Sequence, residues 1–138
     1  MDFTAQSRVL THRGALAMVQ AAVARAEEIG QPQCIFIVDA SGETLAELRM
    51  TGAKFLSRRS ARAKALTAAS IGAESAAIPE SVRAQIGLAT EGAVTGLPGG
   101  LPIRVQGVLL GGIGVGSGSG AQDLEVARAA LAAIGADP

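Results

Sequence analysis

The chain has 138 residues, 49% of them hydrophobic, and its 12 basic and 12 acidic residues cancel. This length suits one buried core, so we expect a single domain over residues 1–138. A net charge of zero disfavours nucleic acid or a membrane surface as a partner held by overall charge. No stretch is apolar enough for a membrane span or a signal peptide, so we expect a cytoplasmic protein.

The first half of the chain predicts a helix, a hairpin and a second helix. Apolar residues at three- and four-residue steps indicate an amphipathic helix from Thr11 to Ile29, with Thr11 as its N-cap. The apolar run from Cys34 to Val38 predicts a buried strand, and the DASG turn after it returns Thr44 to Met50 as its partner. The segment from Ala53 to Ser70 lacks Gly and Pro, which favours a helix.

The second half predicts a loop, another hairpin and a last helix. Glu91 to Leu101 holds four Gly and one Pro and is typical of a compact loop. Ile103 to Val105 and Val108 to Val115 predict two strands, and Ala121 to Ile134 predicts a helix. Two hairpins with helices between and around them predict an α+β fold, an antiparallel sheet with helices packed on it.

Five segments resemble, in this order and spacing, the GlcG/HbpS family (DUF336, heme-binding-protein-S-like, similar also to the PduO C-terminal domain). They are VDASG (38–42), RMTGA (49–53), KALTAA (64–69), PGGLPI (98–103) and GGIGVGSGSGAQDLEVA (111–127). The resemblance implies a profilin-like α/β/α sandwich with an antiparallel sheet of about five strands. It also implies self-association into dimers or larger rings. Because family members include heme-binding and redox-sensing accessory proteins, it implies heme or another small molecule as the ligand.

A basic segment follows the first hairpin, with no acid between Glu47 and Glu74. Its members are Arg49, Lys54, Arg58, Arg59, Arg62 and Lys64. Guanidinium and ammonium groups can hold a small carboxylate or a heme propionate, whereas a solvated helix face or a charged subunit seam is the structural alternative. Arg49 and Lys64 match family positions, so they are the ligand-binding candidates.

The glycine-rich run has two interpretations. GSGSGA at 116–121 formally matches a dinucleotide fingerprint with Asp137 as its acid, but no strand follows the last helix, so we predict no NAD site. The amides of Gly116 and Gly118 could instead hold an anion at the start of the last helix, or the glycines could serve close packing.

The PGGLPI segment offers a second set of candidates. Its two glycines would let a ligand approach the backbone, and its prolines would fix the loop. Pro98, Gly99 and Gly100 are therefore predicted to form a pocket wall, with a tight structural turn as the alternative.

Titratable side chains limit the chemistry. One histidine, His12, and one cysteine, Cys34, leave zinc and iron–sulfur sites without ligands. His12 is a possible heme contact, because heme-binding relatives place contacts near the N-terminus, or simply a polar residue in the first helical turn. For proton transfer the candidates are Glu91, expected to face the same pocket as Arg49 and Lys64, and Asp123, part of the family's Gln-Asp pair. A surface Glu and a helix-dipole partner are their structural alternatives.

Three functions follow from these observations. The leading hypothesis is a small-ligand or heme-binding accessory protein that acts as a homo-oligomer. The alternative is a cofactor-independent enzyme acting on a small anionic metabolite, with Arg49 and Lys64 as a clamp and Glu91 or Asp123 moving protons. The third is a structural subunit held together by its basic helix.

Overall fold

The computed structural model describes all 138 residues and arranges them in three layers. Its helices and strands are α1 (His12–Glu28), β1 (Cys34–Asp39), β2 (Thr44–Arg49), α2 (Ser57–Ile71), α3 (Arg83–Ala89), β3 (Gly100–Val105), β4 (Val108–Gly116) and α4 (Gly120–Ala133). The predicted α+β sandwich is confirmed, with four antiparallel strands in the order β2-β1-β4-β3 in place of about five. None of the helices has the length and apolarity that a bilayer crossing demands.

Helices α1 and α4 cover one face of the sheet. Beneath them lie the fully buried side chains of Ile35 and Ile37 from β1 and of Ile113 and Val115 from β4. These residues alternate along their strands because successive side chains point to opposite faces. The predicted cap is confirmed, since the Thr11 hydroxyl accepts a hydrogen bond from the Gly14 N–H.

Helix α2 covers the other face and lies much closer to it. Ala61 and Ala65 present one small side chain per turn to the sheet, and both are buried. A Cβ built on Gly114 of β4 would lie 1.9 Å from the Ala61 carbonyl oxygen, and one on Gly112 would lie 2.3 Å from that of Ala65. The β4 glycines therefore let the backbone of α2 rest on the sheet.

Two predicted boundaries differ from the structure by three residues or more. The helix expected from Ala53 begins at Ser57, because turns occupy the residues before it and the Lys54 N–H donates to the Ser117 hydroxyl at 3.0 Å. Strand β3 begins at Gly100 and not at Ile103, because residues 100–102 pair with 112–114 of β4. Pro102 is tolerated because β3 lies at the sheet edge, where a missing N–H breaks no inner ladder.

Candidate functional site

A buried ion pair lies where α2, β4 and α4 meet. The Lys64 ammonium donates to Asp123 Oδ2 at 3.0 Å and to the Val115 carbonyl oxygen at 2.8 Å. Asp123 Oδ1 accepts from the Gly118 N–H at 3.1 Å. Lys64 is 4% exposed and Asp123 is 2% exposed. Because buried charges are tolerated only when paired and hydrogen-bonded, these contacts are what allow the pair to be buried.

The start of α4 fixes the carboxylate of this pair. Ser119 and Gln122 form a capping box, in which each side chain accepts the backbone N–H of the other residue. Asp123 follows in the first turn, where its negative charge offsets the helix dipole. The structural explanation of Asp123 therefore holds, and the same residue also orients Lys64.

The PGG segment serves two purposes at once. Gly99 adopts φ +120°, and a Cβ there would lie 2.9 Å from the Asp123 Cβ and 3.1 Å from Lys64 Nζ. A Cβ on Gly100 would lie 2.3 Å from the Lys64 carbonyl oxygen. Gly99 therefore makes room for the ion pair, and Gly100 allows close packing on α2.

A polar cavity of about 250 Å³ lies beside the ion pair. Four of the sequence candidates line it, namely Lys64, Pro98, Gly118 and Asp123. Gly116 borders it from the sheet, since a Cβ there would lie 3.2 Å from the hydroxyl oxygen of Ser60, another lining residue. The structure thus gathers residues from three distant segments of the sequence.

Arg49 and Glu91 do not join this cavity, so the expectation of one pocket shared with Lys64 is wrong. Arg49 ends the edge strand β2 and borders a separate, open groove of about 680 Å³ between α1 and β2. Glu91 is exposed in the turn that ends α3, with φ +55°, and the following Gly92 N–H donates to the Gly87 carbonyl oxygen at 2.7 Å. The positive φ of Glu91 belongs to the turn that closes the end of α3.

Two amides of the glycine-rich run, those of Gly118 and Ser119, are engaged by the protein itself. The Gly118 N–H donates to Gln33 Oε1 as well as to Asp123, and the capping box takes those of Ser119 and Gln122. The Asp123 carboxylate thus occupies the place where the sequence suggested a bound anion. Asp137, the acid of the formal dinucleotide match, accepts the N–H groups at 106 and 107 and so fixes the β3–β4 turn.

His12 lies far from this cavity, at the first turn of α1, and is exposed. Leu16, one helical turn further on, is 57% exposed, and Val9, three residues before, is 72% exposed. Arg8 and Arg13 flank the imidazole in sequence and are exposed as well. These exposed residues, an imidazole, two apolar side chains and two arginines, lie close together in sequence around the start of α1, and we call them the His12 surface.

Six lining residues escaped the sequence analysis as site residues: Lys54, Ser57, Ser60, Leu97, Ser117 and Gly120. A signal existed for two of them, because Ser57, Ser60 and Lys64 follow the i, i+3, i+7 spacing of one helical face. Ser117 gave no such signal, since its φ of +104° depends on the strand-to-helix corner.

The single cysteine is unsuited to covalent chemistry. Cys34 is fully buried in β1, as predicted. Burial raises the pKa of its thiol, although the positive charges of Arg49 and Arg58 oppose the shift. A neutral, inaccessible thiol is a poor nucleophile.

Comparison with known proteins gives consistent results. The family described as HbpS-like, haem degrading protein HbpS-like, matches residues 10–132. The corrinoid adenosyltransferase PduO of Citrobacter freundii is 38% identical over 122 residues, which are 85% of this chain and 36% of PduO. The chain therefore spans about a third of the length of that relative.

Solved structures extend the comparison to the fold. A PduOC–heme complex superposes with a TM-score of 0.87 at 30% identity, covering 94% of this chain and 98% of the other. Klebsiella pneumoniae protein ORFY, of the DUF336 family, superposes with a TM-score of 0.93 at 27% identity, covering 100% and 99%. The resemblance inferred from the five sequence segments is confirmed.

Proposed function

The chain belongs to the HbpS-like family, and on that premise we propose that it binds heme on the His12 surface. The observation that carries the proposal is the exposure of the only imidazole of the chain beside exposed Val9 and Leu16. The heme complex of the PduO C-terminal domain, 30% identical to this chain, supports heme as the ligand.

The residues of the His12 surface fit the chemistry of a heme. The imidazole offers an iron ligand, and Val9 and Leu16 offer apolar contacts for the macrocycle. Arg8 and Arg13 offer cations for the propionates. When bound, heme would supply an iron centre for redox or oxygen chemistry, and the surrounding side chains would hold and orient it.

The size of the Lys64 cavity disfavours it as the heme site. The Lys64 cavity holds about 250 Å³, below the roughly 300–1,000 Å³ of pockets for drug-sized ligands, and a tetrapyrrole is larger still. The open groove beside Arg49 is the second location we consider, since Arg49 could pair there with a propionate.

Titration with ferric heme, followed at the Soret band, tests the proposal. We expect the wild-type protein to shift the band and His12→Ala to lose most of the shift, with recovery on adding free imidazole. Gln20→Ala, an exposed α1 residue two turns beyond, is the control and should behave as wild type. A wild-type protein that leaves the Soret band unchanged would rule out heme binding. Loss of binding in Arg49→Ala but not in His12→Ala would move the heme to the groove.

We also propose that the protein works as a homo-oligomer. Phe55 and Leu56, just before α2, are 67% and 60% exposed, which is costly for a free surface. Light scattering should give at least a dimer, and an apolar contact should persist at high salt. Dissociation by salt would instead favour the structural-subunit hypothesis with a basic seam at α2, and a monomer at all salt concentrations would exclude both.

The enzymatic alternative depends on the Lys64 cavity alone. Of the four residues that this hypothesis names, only Lys64 and Asp123 line the cavity, whereas Arg49 and Glu91 lie elsewhere. Both oxygens of the Asp123 carboxylate already accept hydrogen bonds. This arrangement favours binding over proton transfer.

A further inference from the structure

We propose that the Lys64 cavity is a second binding site, separate from the heme surface, that takes a small oxyanion with a carboxylate or phosphate head. An ammonium group has three donors. Two of those of Lys64 go to Val115 and Asp123, and the residue lines the cavity, so one donor remains for a ligand. This remaining donor would be the central contact to the anion.

The other lining groups favour the same ligand. Lys54 adds a second positive charge, so the two lysines and Asp123 leave a formal charge of +1 at the cavity. The Ser57 hydroxyl makes no hydrogen bond within the protein, and the Ser117 hydroxyl only accepts one, from the Lys54 N–H. Both hydroxyl protons are therefore available to an acceptor oxygen. Only one lining residue, Leu97, is hydrophobic, so the cavity suits a polar guest.

Rigid walls limit the size of that guest. A Cβ on Gly120 would lie 2.6 Å from the Pro98 Cγ, and one on Gly118 would lie 2.8 Å from the Gln122 Oε1. These contacts fix one side of the site, which is open to solvent and has a volume of about 250 Å³. A ligand of a few heavy atoms fits within that volume, which a tetrapyrrole exceeds.

The cavity and the His12 surface lie at opposite ends of α1. Gln31, just beyond the end of that helix, donates to the Ser117 carbonyl oxygen at 3.2 Å. His12 begins the same helix, whose 17 residues span roughly 25 Å. One ligand cannot bridge both places, so the oxyanion and the heme would occupy separate sites.

Stability alone does not account for the buried ion pair. Replacing such a pair by well-packed apolar residues is often neutral or stabilising, so stability alone gives little reason to keep Lys64 and Asp123.

Calorimetric titration of the full chain with inorganic phosphate and with acetate tests the site, against chloride at equal ionic strength. We expect millimolar or tighter binding of at least one oxyanion, and the stronger of the two identifies the head group. Lys54→Ala should weaken oxyanion binding about tenfold, which is the effect of losing one charge-assisted contact. Arg59→Ala, an exposed cation on α2 outside the cavity, should leave it unchanged.

A filling variant tests the location. Ser60→Leu should occupy the cavity and abolish oxyanion binding, while the Soret shift with heme remains as in wild type. The double variant Lys64→Met with Asp123→Asn should also abolish oxyanion binding and keep the Soret shift, and it leaves no lone buried charge. Absence of phosphate and acetate binding by wild type would overturn the proposal, as would unchanged binding in a folded Ser60→Leu protein. Neither result would affect heme binding at His12.

Discussion

The two faces of the sheet are built by opposite means. On the α1/α4 face, branched side chains such as Ile37 and Ile113 fill the space between helices and strands. On the α2 face, Gly112, Gly114 and the alanines of α2 remove that space. The first face is stabilised by apolar volume, and the second by backbone proximity. Only the second brings a helix close enough to place the Lys64 ammonium against the end of β4.

Adding a side chain to the sheet face under α2 should lower the free energy of unfolding most. The Cβ of Gly114→Val would lie 1.9 Å from the Ala61 carbonyl oxygen, so α2 must separate from the sheet at a cost of at least about 3 kcal/mol. Urea denaturation should find little or no folded protein. Gly87→Ala in α3, where the Cβ would be 3.7 Å from its nearest neighbour, is the control and should be neutral or slightly stabilising. A stably folded Gly114→Val protein would contradict the proximity argument.

Breaking the Lys64–Asp123 ion pair should cause the second-largest loss of stability. Lys64→Met leaves the Asp123 carboxylate buried without its cation, at a cost of about 3–5 kcal/mol. The added change Asp123→Asn should recover most of that loss, because it removes the orphaned charge. Denaturation midpoints of the two variants measure the difference. Equal stability of both would mean that solvent reaches Asp123.

A truncated side chain on the α1/α4 face should lower the free energy of unfolding much less. Ile113→Val removes one methylene from a fully buried site, which typically lowers the free energy of unfolding by about 0.5–1.5 kcal/mol. Chemical denaturation of this variant beside Gly114→Val compares neighbouring β4 residues on opposite faces. A larger loss for Ile113→Val than for Gly114→Val would reverse the assignment of the two faces.

The smallest expected effect concerns pH. Burial raises the pKa of Cys34 above its ordinary 9.0, so the folded state favours the neutral thiol. This contribution to stability is complete below 9.0 and is lost as the pH rises through the folded-state pKa. Wild type should therefore lose stability relative to Cys34→Ala only at alkaline pH, and its native thiol should react slowly with a disulfide reagent. Rapid reaction without denaturant would show that Cys34 is accessible.

Local chemistry made most of the fold predictable. The DASG turn and the 106–107 turn define the two hairpins, and the Thr11 cap with its apolar periodicity defines α1. The strand residues 100–102 escaped prediction because Gly and Pro disfavour strands locally, and pairing with β4 overrides that preference.

The site was predictable only in part. Lys64 and Asp123 were identified by resemblance, and Pro98 and Gly118 from the chemistry of their glycine-rich segments. All four meet at one cavity. Arg49 was placed with them because it matches a family position, but such a match does not determine which groove a strand end borders. That information comes from the strand order, which puts β2 at the far edge.

Nuclear magnetic resonance with both ligands most directly tests the central claim, that heme and a small oxyanion bind at opposite ends of α1. Ferric heme should broaden backbone amides around His12, and phosphate or acetate should shift those of Ser57, Ser117 and Gly118. Each set should respond to one ligand only. Broadening by heme at Ser117 and Gly118, with residues 9–16 unaffected, would contradict the two-site account.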